Sequence, residues 1–304
     1  MKKIFIDANI YLNFFDSNKP ELKKLLCSLL ESKNSLFINA QIVNEVNRNK
    51  LGIAQKSLIN HFTNLSNIKS SNLPEHLEME STNLQSWNSQ SKKIHQEQEA
   101  LQKELEALIH KTLEEIMFSN DQVSRTFSLL FEGALEASEP EFQAARLRKE
   151  LGNPPGKPND PLGDQISWEQ FLNFSRGSEK IWIITNDLDY YTVFKGKRYL
   201  NSFLYNELFK AKANPPSIFC FASLAEGLRH FNENSLEKID NLPTDEELKL
   251  ITEEELSSSV AQTEASRFFP VFEQGKLTYV YLPPGFKSPN HYIQYLRTYD
   301  SEEW

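Results

Sequence analysis

Apolar residues recur along this chain in two rhythms. Lys3-Ile4-Phe5-Ile6 is a short apolar run that stops abruptly at Asp7-Ala8-Asn9, as a buried strand does when it delivers a polar residue to its carboxyl end. From Pro20 to Ser32, Leu22, Leu25, Leu26, Leu29 and Leu30 return at helical spacing. Ser35-Leu36-Phe37-Ile38-Asn39 predicts a second strand, and Ile42, Val43, Val46, Leu51 and Ile53 predict a second helix. The order is β–α–β–α.

After Leu65 the rhythm changes. The chain is polar from Ser66 to about Ser89, and from Lys92 to Phe118 a stripe of Leu101, Leu105, Leu108, Ile109, Leu113, Ile116 and Met117 predicts a long amphipathic helix. Packing on the core by that stripe is the simpler reading, and a coiled-coil or partner contact is the other. Helical patterns continue to Leu151, where Gly152-Asn153-Pro154-Pro155-Gly156-Lys157-Pro158 breaks them. Alternation then resumes, with a helix from Asp164 to Phe174, strands at Lys180–Thr185 and Ser217–Phe221, and a helix at Leu224–Phe231. These elements predict a parallel α/β sheet in residues 1–65 and 152–232, a helical insertion at 66–151, and an appended region at 233–304. In that last region, 244–263 is acidic and helix-prone, and Leu277–Leu282 reads as a strand. Its role is not legible.

Composition adds limits. With 304 residues and 39% hydrophobic content the chain can bury a full core. Its longest apolar runs are far shorter than the roughly 20 residues a membrane helix needs, so the expectation is a soluble, cytoplasmic protein without membrane contact. Cys27 and Cys220 sit in apolar stretches and read as two buried thiols, and the six histidines show no metal-ligand spacing. The net charge of −9 argues against a protein that coats nucleic acid non-specifically. It leaves a nuclease open, because a carboxylate site contributes negative charge that a bound cation reverses locally.

In an open parallel sheet, ligands collect beyond the carboxyl ends of the strands. Asp7 ends the first strand, and Asp187 follows Ile181-Trp182-Ile183-Ile184-Thr185-Asn186, so both belong to that edge. Glu45, early in the helix after the second strand, and Asp164, at the start of another helix, can lean over it. Four crowded carboxylates make chemical sense around a hard divalent ion, and a donor set of oxygen alone favours Mg²⁺ or Mn²⁺, one or two ions. Such a site hydrolyses phosphodiesters. Each residue also has a plainer reading: Asp7 and Asp164 as helix N-caps, Glu45 as a solvated helix residue, Asp187 and Asp189 as an Asx turn.

Taken in order, Ile4-Phe5-Ile6-Asp7-Ala8-Asn9, Val43-Asn44-Glu45-Val46, Gly163-Asp164-Gln165-Ile166 and Ile184-Thr185-Asn186-Asp187 resemble the four acidic stations of the PIN-domain nucleases. The resemblance is to the longer bacterial PIN-like proteins, where a helical insertion precedes a Lys-Pro…Gly-Asp…Trp segment, here Lys157-Pro158, Gly163-Asp164 and Trp168. Ala8 stands where the family often has Thr or Ser. The resemblance implies a three-layer α/β/α fold, with Asp7, Glu45, Asp164 and Asp187 as metal ligands and catalytic residues. It implies that Asn9, Thr185 and Asn186 orient them, with Asp189 assisting and Asp160 a weaker candidate. Arg48, Lys50, Lys157, Lys195, Lys197 and Arg198 are candidates to hold a phosphate backbone, and Tyr190, Tyr191 or Trp168 to stack on an unpaired base.

The expected activity is endoribonuclease action on single-stranded or structured RNA, at family level as a toxin or defence effector. The rival is a non-catalytic PIN-like module that binds RNA, or a protein partner or inhibitor through the helical insertion. A DNA-processing relative ranks last, for want of a helix-hairpin-helix glycine pattern or a broad basic stripe.

Overall fold

The computed structural model describes residues 2–16, 20–67, 73, 82–156, 161–210, 216–235, 238–252, 268–273 and 276–281. Its centre is a four-stranded parallel sheet of β1 (Lys2–Ile6), β2 (Leu36–Phe37), β3 (Lys180–Ile184) and a last strand at Ser217–Phe221, in the order β2-β1-β3-last. Ile4 pairs with Leu36 on one side and Trp182 on the other, so β1 is central. The chain leaves β1 toward β2 on one flank and later returns to β3 on the other. The crevice between the carboxyl ends of β1 and β3 is therefore the switch point of the sheet.

Helices cover the sheet. Those of the first half are α1 (Ala8–Leu12), α2 (Leu22–Glu31) and α3 (Ala40–Ser66), and those closing the second half are α7 (Gly163–Phe174), α8 (Ser202–Lys210) and α9 (Leu224–Asn234). Between them lie α4 (Thr82–Met117), α5 (Gln122–Leu130) and α6 (Glu139–Glu150). A two-stranded hairpin, β4 (Tyr191–Phe194) and β5 (Lys197–Leu200), follows β3, which makes the last sheet strand β6. The architecture is the α/β/α fold with a helical insertion that the periodicity predicts. Its core stacks Phe5, Phe37, Phe171, Trp168 and Tyr190 in mutual ring contact.

Several boundaries move. The second strand is only Leu36–Phe37, because Asn39 leaves the sheet to cap α3, its side chain accepting from Ile42 N at 2.9 Å. Leu135 of the insertion bridges to that edge, with Ala40 N donating to Leu135 O at 2.9 Å. The long helix α4 begins ten residues before the predicted start at Lys92. It runs antiparallel to α3, as Gln98 meeting Leu65 and Ser119 meeting Lys50 show. Only part of its predicted stripe packs: Ile116 is buried and Leu105, Ile109 and Leu113 are half-buried, while Leu101, Leu108 and Met117 are exposed. A single neighbouring helix cannot cover seven apolar positions spread over more than one face. Cys27, expected inside, faces outward on α2, whose inner face is taken by Leu22, Leu25, Leu26 and Leu29.

Two further contacts hold the insertion to the rest of the unit. Phe127 of α5 sits among Tyr11, Phe14, Phe15 and Phe131. Arg148 of α6 is buried and forks onto Glu169 Oε1 at 2.6 and 2.8 Å and Glu207 at 2.7 and 3.1 Å, while Trp168 Nε1 donates to Glu207 Oε2 at 2.9 Å. That network ties α6, α7 and α8 together.

Two compact units divide the chain, residues 1–251 and 252–304. Residues 238–251 pack within the first, where Ile239, Leu248 and Ile251 join the core and Asp240 N donates to Glu31 at 2.8 Å. In the second, β7 (Phe268–Glu273) and β8 (Lys276–Tyr281) form an antiparallel hairpin. Periodicity located β8 and missed β7. Among the described residues no helix is long and apolar enough to cross a membrane.

Candidate active site

Asp7 leaves β1 in extended conformation and starts α1. Its Oδ1 accepts from Ala8 N at 2.8 Å, and its Oδ2 accepts from Asn9 Nδ2 at 2.9 Å and from Thr185 Oγ1 at 2.6 Å. The N-cap reading and the site reading of Asp7 thus hold together, one oxygen serving mainly the backbone and the other the crevice. Thr185 is fully buried, and its hydroxyl also accepts from Asp187 N at 3.0 Å. Asp187 closes an Asx turn onto Asp189 N at 3.2 Å.

Glu45 lies in the second turn of α3 and Asp164 in the first turn of α7, where the cap position belongs to Leu162. The two helix starts meet at Gly163, against the Gln41 side chain. A β-carbon there would stand 2.3 Å from Gln41 Nε2, closer than packed atoms allow. A side chain at 163 would require the Gln41 amide, the far end of a flexible side chain, to shift within the cleft.

Asp7, Glu45, Asp164 and Asp187 line one cleft of about 390 Å³, together with Asn9, Gln41, Arg48, Asn49, Pro161 and Gly163. Its electrostatics are those of crowded like charges. Desolvation, then the fields of Glu45 and Asp187, raise Asp7 to about 7 against the opposing pull of its Thr185 and Ala8 hydrogen bonds. Glu45 is raised by desolvation, then by Asp164, with Asp187 adding and Arg48 opposing. Beneath them Tyr190 is buried, and burial followed by the fields of all four carboxylates holds its phenol well above the ordinary value.

Oxygen donors suit a hard divalent cation. The buried Oδ1 of Asn9, which lines the cleft, has no hydrogen-bond partner among the described residues and leaves an acceptor able to serve a cation or its water; Asn186 Oδ1 is likewise unpartnered but lies outside the cleft lining. Among the described residues no three acidic, histidine or cysteine side chains already stand at the spacing of a formed metal centre. The donor set fits such an ion.

The other candidates scatter. Arg48 is exposed at the cleft, three residues after Glu45. Lys50 is not there: it is buried in a separate cavity, donating to Ser119 Oγ at 2.7 Å and Ser124 Oγ at 3.1 Å, because it points toward the insertion from another face of α3. Lys195 and Lys197 are exposed on the β4–β5 hairpin, whereas Arg198 turns inward toward Glu226 and over the Tyr191 ring. Trp168, Tyr190 and Tyr191 are 0%, 1% and 5% exposed, so none of them can stack on a base. Lys157 and Asp160 lie outside the described residues. Asp189 is half-buried in the turn after Asp187 and outside the cleft lining. Gln41 escaped the sequence reading as a part of this site, and Tyr190, expected to stack on a base, lies buried outside the cleft lining. Nothing in the spacing marks Gln41, and the tyrosine pair resembles surface aromatics.

A parallel sheet that gathers acidic side chains over its switch point is a nuclease-like architecture. The PIN-domain family model matches residues 4–190, well over half of the chain, and the chain belongs to the PIN-domain family. No curated protein and no solved structure gave a significant match.

Proposed function

We propose that this protein is a divalent-metal-dependent endoribonuclease, with Asp7, Glu45, Asp164 and Asp187 holding one or two Mg²⁺ or Mn²⁺ ions. The observation that carries the reading is the convergence of four carboxylates, from four separate elements, on one open cleft at the switch point of the sheet. When bound, the cation supplies the positive charge a phosphodiester needs beside it and makes water a stronger nucleophile at neutral pH.

The chain's own residues have separate tasks. Thr185 and Asn9 fix the Asp7 carboxylate by donating to its Oδ2, which keeps its other lone pairs directed. Arg48 offers a guanidinium at the cleft for a phosphate oxygen. Gln41 and Asn49 line the same cleft and present amide groups to sugar or base.

Cleavage of labelled single-stranded RNA and of matched DNA, with Mg²⁺ or Mn²⁺ and after chelation, tests the reading when wild type is compared with Asp7→Asn and Asp164→Asn. Metal-dependent cutting of RNA by the wild type alone is the expected result. A folded wild type that cuts neither polymer but binds RNA or a protein would overturn it in favour of the non-catalytic module.

A further inference from the structure

The residues after the Asp187 turn carry a run of exposed hydrophobic side chains that the fold does not need. Leu188 is 61% exposed and Phe194 64%, and Val193 and Tyr199 are also open. Phe194 and Tyr199 belong to the β4–β5 hairpin, whose two-residue turn Lys195-Gly196 has φ of 47° and 77°. Positive φ at both positions fits the tight hairpin turns that match strand twist.

The register sorts the hairpin into two faces. Tyr191 pairs with Leu200 and Val193 with Arg198, and Tyr191, Arg198 and Leu200 turn toward the protein, Arg198 toward Glu226. Thr192 pairs with Tyr199 and Phe194 with Lys197, and all four are exposed on the opposite face. Each ring has a cation over it: Lys195 Nζ is 5.7 Å from the Phe194 centroid and Lys197 Nζ is 5.2 Å from that of Tyr199. The hairpin begins at Tyr191, just after the Asp187–Asp189 turn at the edge of the cleft.

We propose that this outer face is a docking platform for single-stranded RNA, with Phe194 and Tyr199 stacking on unpaired bases and Lys195 and Lys197 meeting the phosphates beside them. The inference rests on the nuclease reading only for the direction in which the strand leads, from platform to cleft. Rings alternating with lysines favour nucleic acid over a protein partner. Protein interfaces lose lysine from their centres, whereas single-strand binders combine stacking rings with a cationic track. Arg198, anchored inward, is not part of it.

The test is fluorescence anisotropy of a short labelled oligouridylate on the full chain under chelation, with cleavage assayed separately. Phe194→Ala and Tyr199→Ala should each weaken binding about tenfold, and the Leu variants should do the same, because area without a ring does not stack. Lys195→Ala and Lys197→Ala should each flatten the dependence of log K on log salt by about 0.7, while the aromatic variants leave that slope alone. Unchanged affinity in the aromatic variants, full affinity in the Leu variants, or no binding by wild type would overturn the platform. A wild type that binds through these rings and cuts nothing would leave the platform standing and remove the nuclease reading instead.

Discussion

Thr185 Oγ1 donates to Asp7 Oδ2 at 2.6 Å while accepting from Asp187 N at 3.0 Å, so one buried hydroxyl fixes the acidic residues at the ends of two neighbouring strands. Thr185→Val keeps the shape and removes both bonds. Metal affinity or activity should fall about 10- to 100-fold, the usual cost of losing a residue that orients a ligand. A Mg²⁺ titration of activity, beside an unchanged far-ultraviolet circular dichroism spectrum, measures it.

Asp7 is raised to about 7, so between its ordinary value and that pH the folded chain keeps a proton that the unfolded chain has released. Folding stability of the metal-free protein therefore falls as pH rises through that window, by about 4 kcal/mol at most. Glu45, also raised, acts in the same direction, while His230, lowered by burial from its ordinary 6.5, opposes it below that pH. Glu31, Glu141 and Glu247 are lowered and act only below the ordinary carboxylate value, outside the window. Urea unfolding under chelation should show less stability at pH 8 than at pH 5, and Asp7→Asn should flatten the difference. An equal or larger pH 8 stability in wild type would contradict this.

Gly163→Ala places a methyl 2.3 Å from Gln41 Nε2, and the Gln41 amide must move to accept it. The expected loss of stability is about 1 kcal/mol or less, because the amide that gives is the far end of a flexible side chain and alanine favours a helix, and activity should fall as that amide shifts within the cleft. Adding Gln41→Ala should recover most of the stability, and a double-mutant cycle by thermal unfolding reads the coupling.

Arg148→Met leaves Glu169 and Glu207 facing each other without their cation. A loss of about 3–5 kcal/mol follows from breaking a buried pair on one side. Adding Glu169→Gln and Glu207→Gln should return part of it. Equal melting temperatures for wild type and Arg148→Met would show that the network carries no stability.

Lys50 and Arg48 lie two residues apart on α3 and should behave oppositely. Arg48→Ala should raise KM for RNA several-fold while leaving stability nearly unchanged, as for an exposed side chain. Lys50→Met should leave KM alone and alter stability through the loss of its Ser119 and Ser124 contacts.

The acidic stations were legible because their positions are dictated by chain direction. A polar residue straight after Ile4-Phe5-Ile6 or Ile181–Ile184 has to emerge at the carboxyl edge of a parallel sheet, and the structure puts Asp7 and Asp187 there. Side-chain direction on a helix was not legible. Arg48 and Lys50 differ by two residues, about 200° around the axis, and spacing alone did not tell which of them looks into the cleft. Aromatic placement failed for a related reason: Tyr190 and Tyr191 follow a turn and read as surface, yet the hairpin folds both inward and leaves Phe194 and Tyr199 outside. The full span of α4 was hidden by its polar first turns, which are held by contacts such as Asn88 with Leu73 and not by an apolar stripe.

The contact between Asp7 and Thr185 spans 178 residues. Synthesis runs from the amino terminus, so Asp7 and Glu45 are joined to the chain before Asp164, Thr185 and Asp187. The emerging segment thus has the first half of a cleft and nothing to close it. Because β1 finds its parallel neighbour β3 only across that separation, site assembly is a late and slow event of folding. Until β3 has joined β1, Asp7 and Asp187 stand apart and the cleft has only its first half.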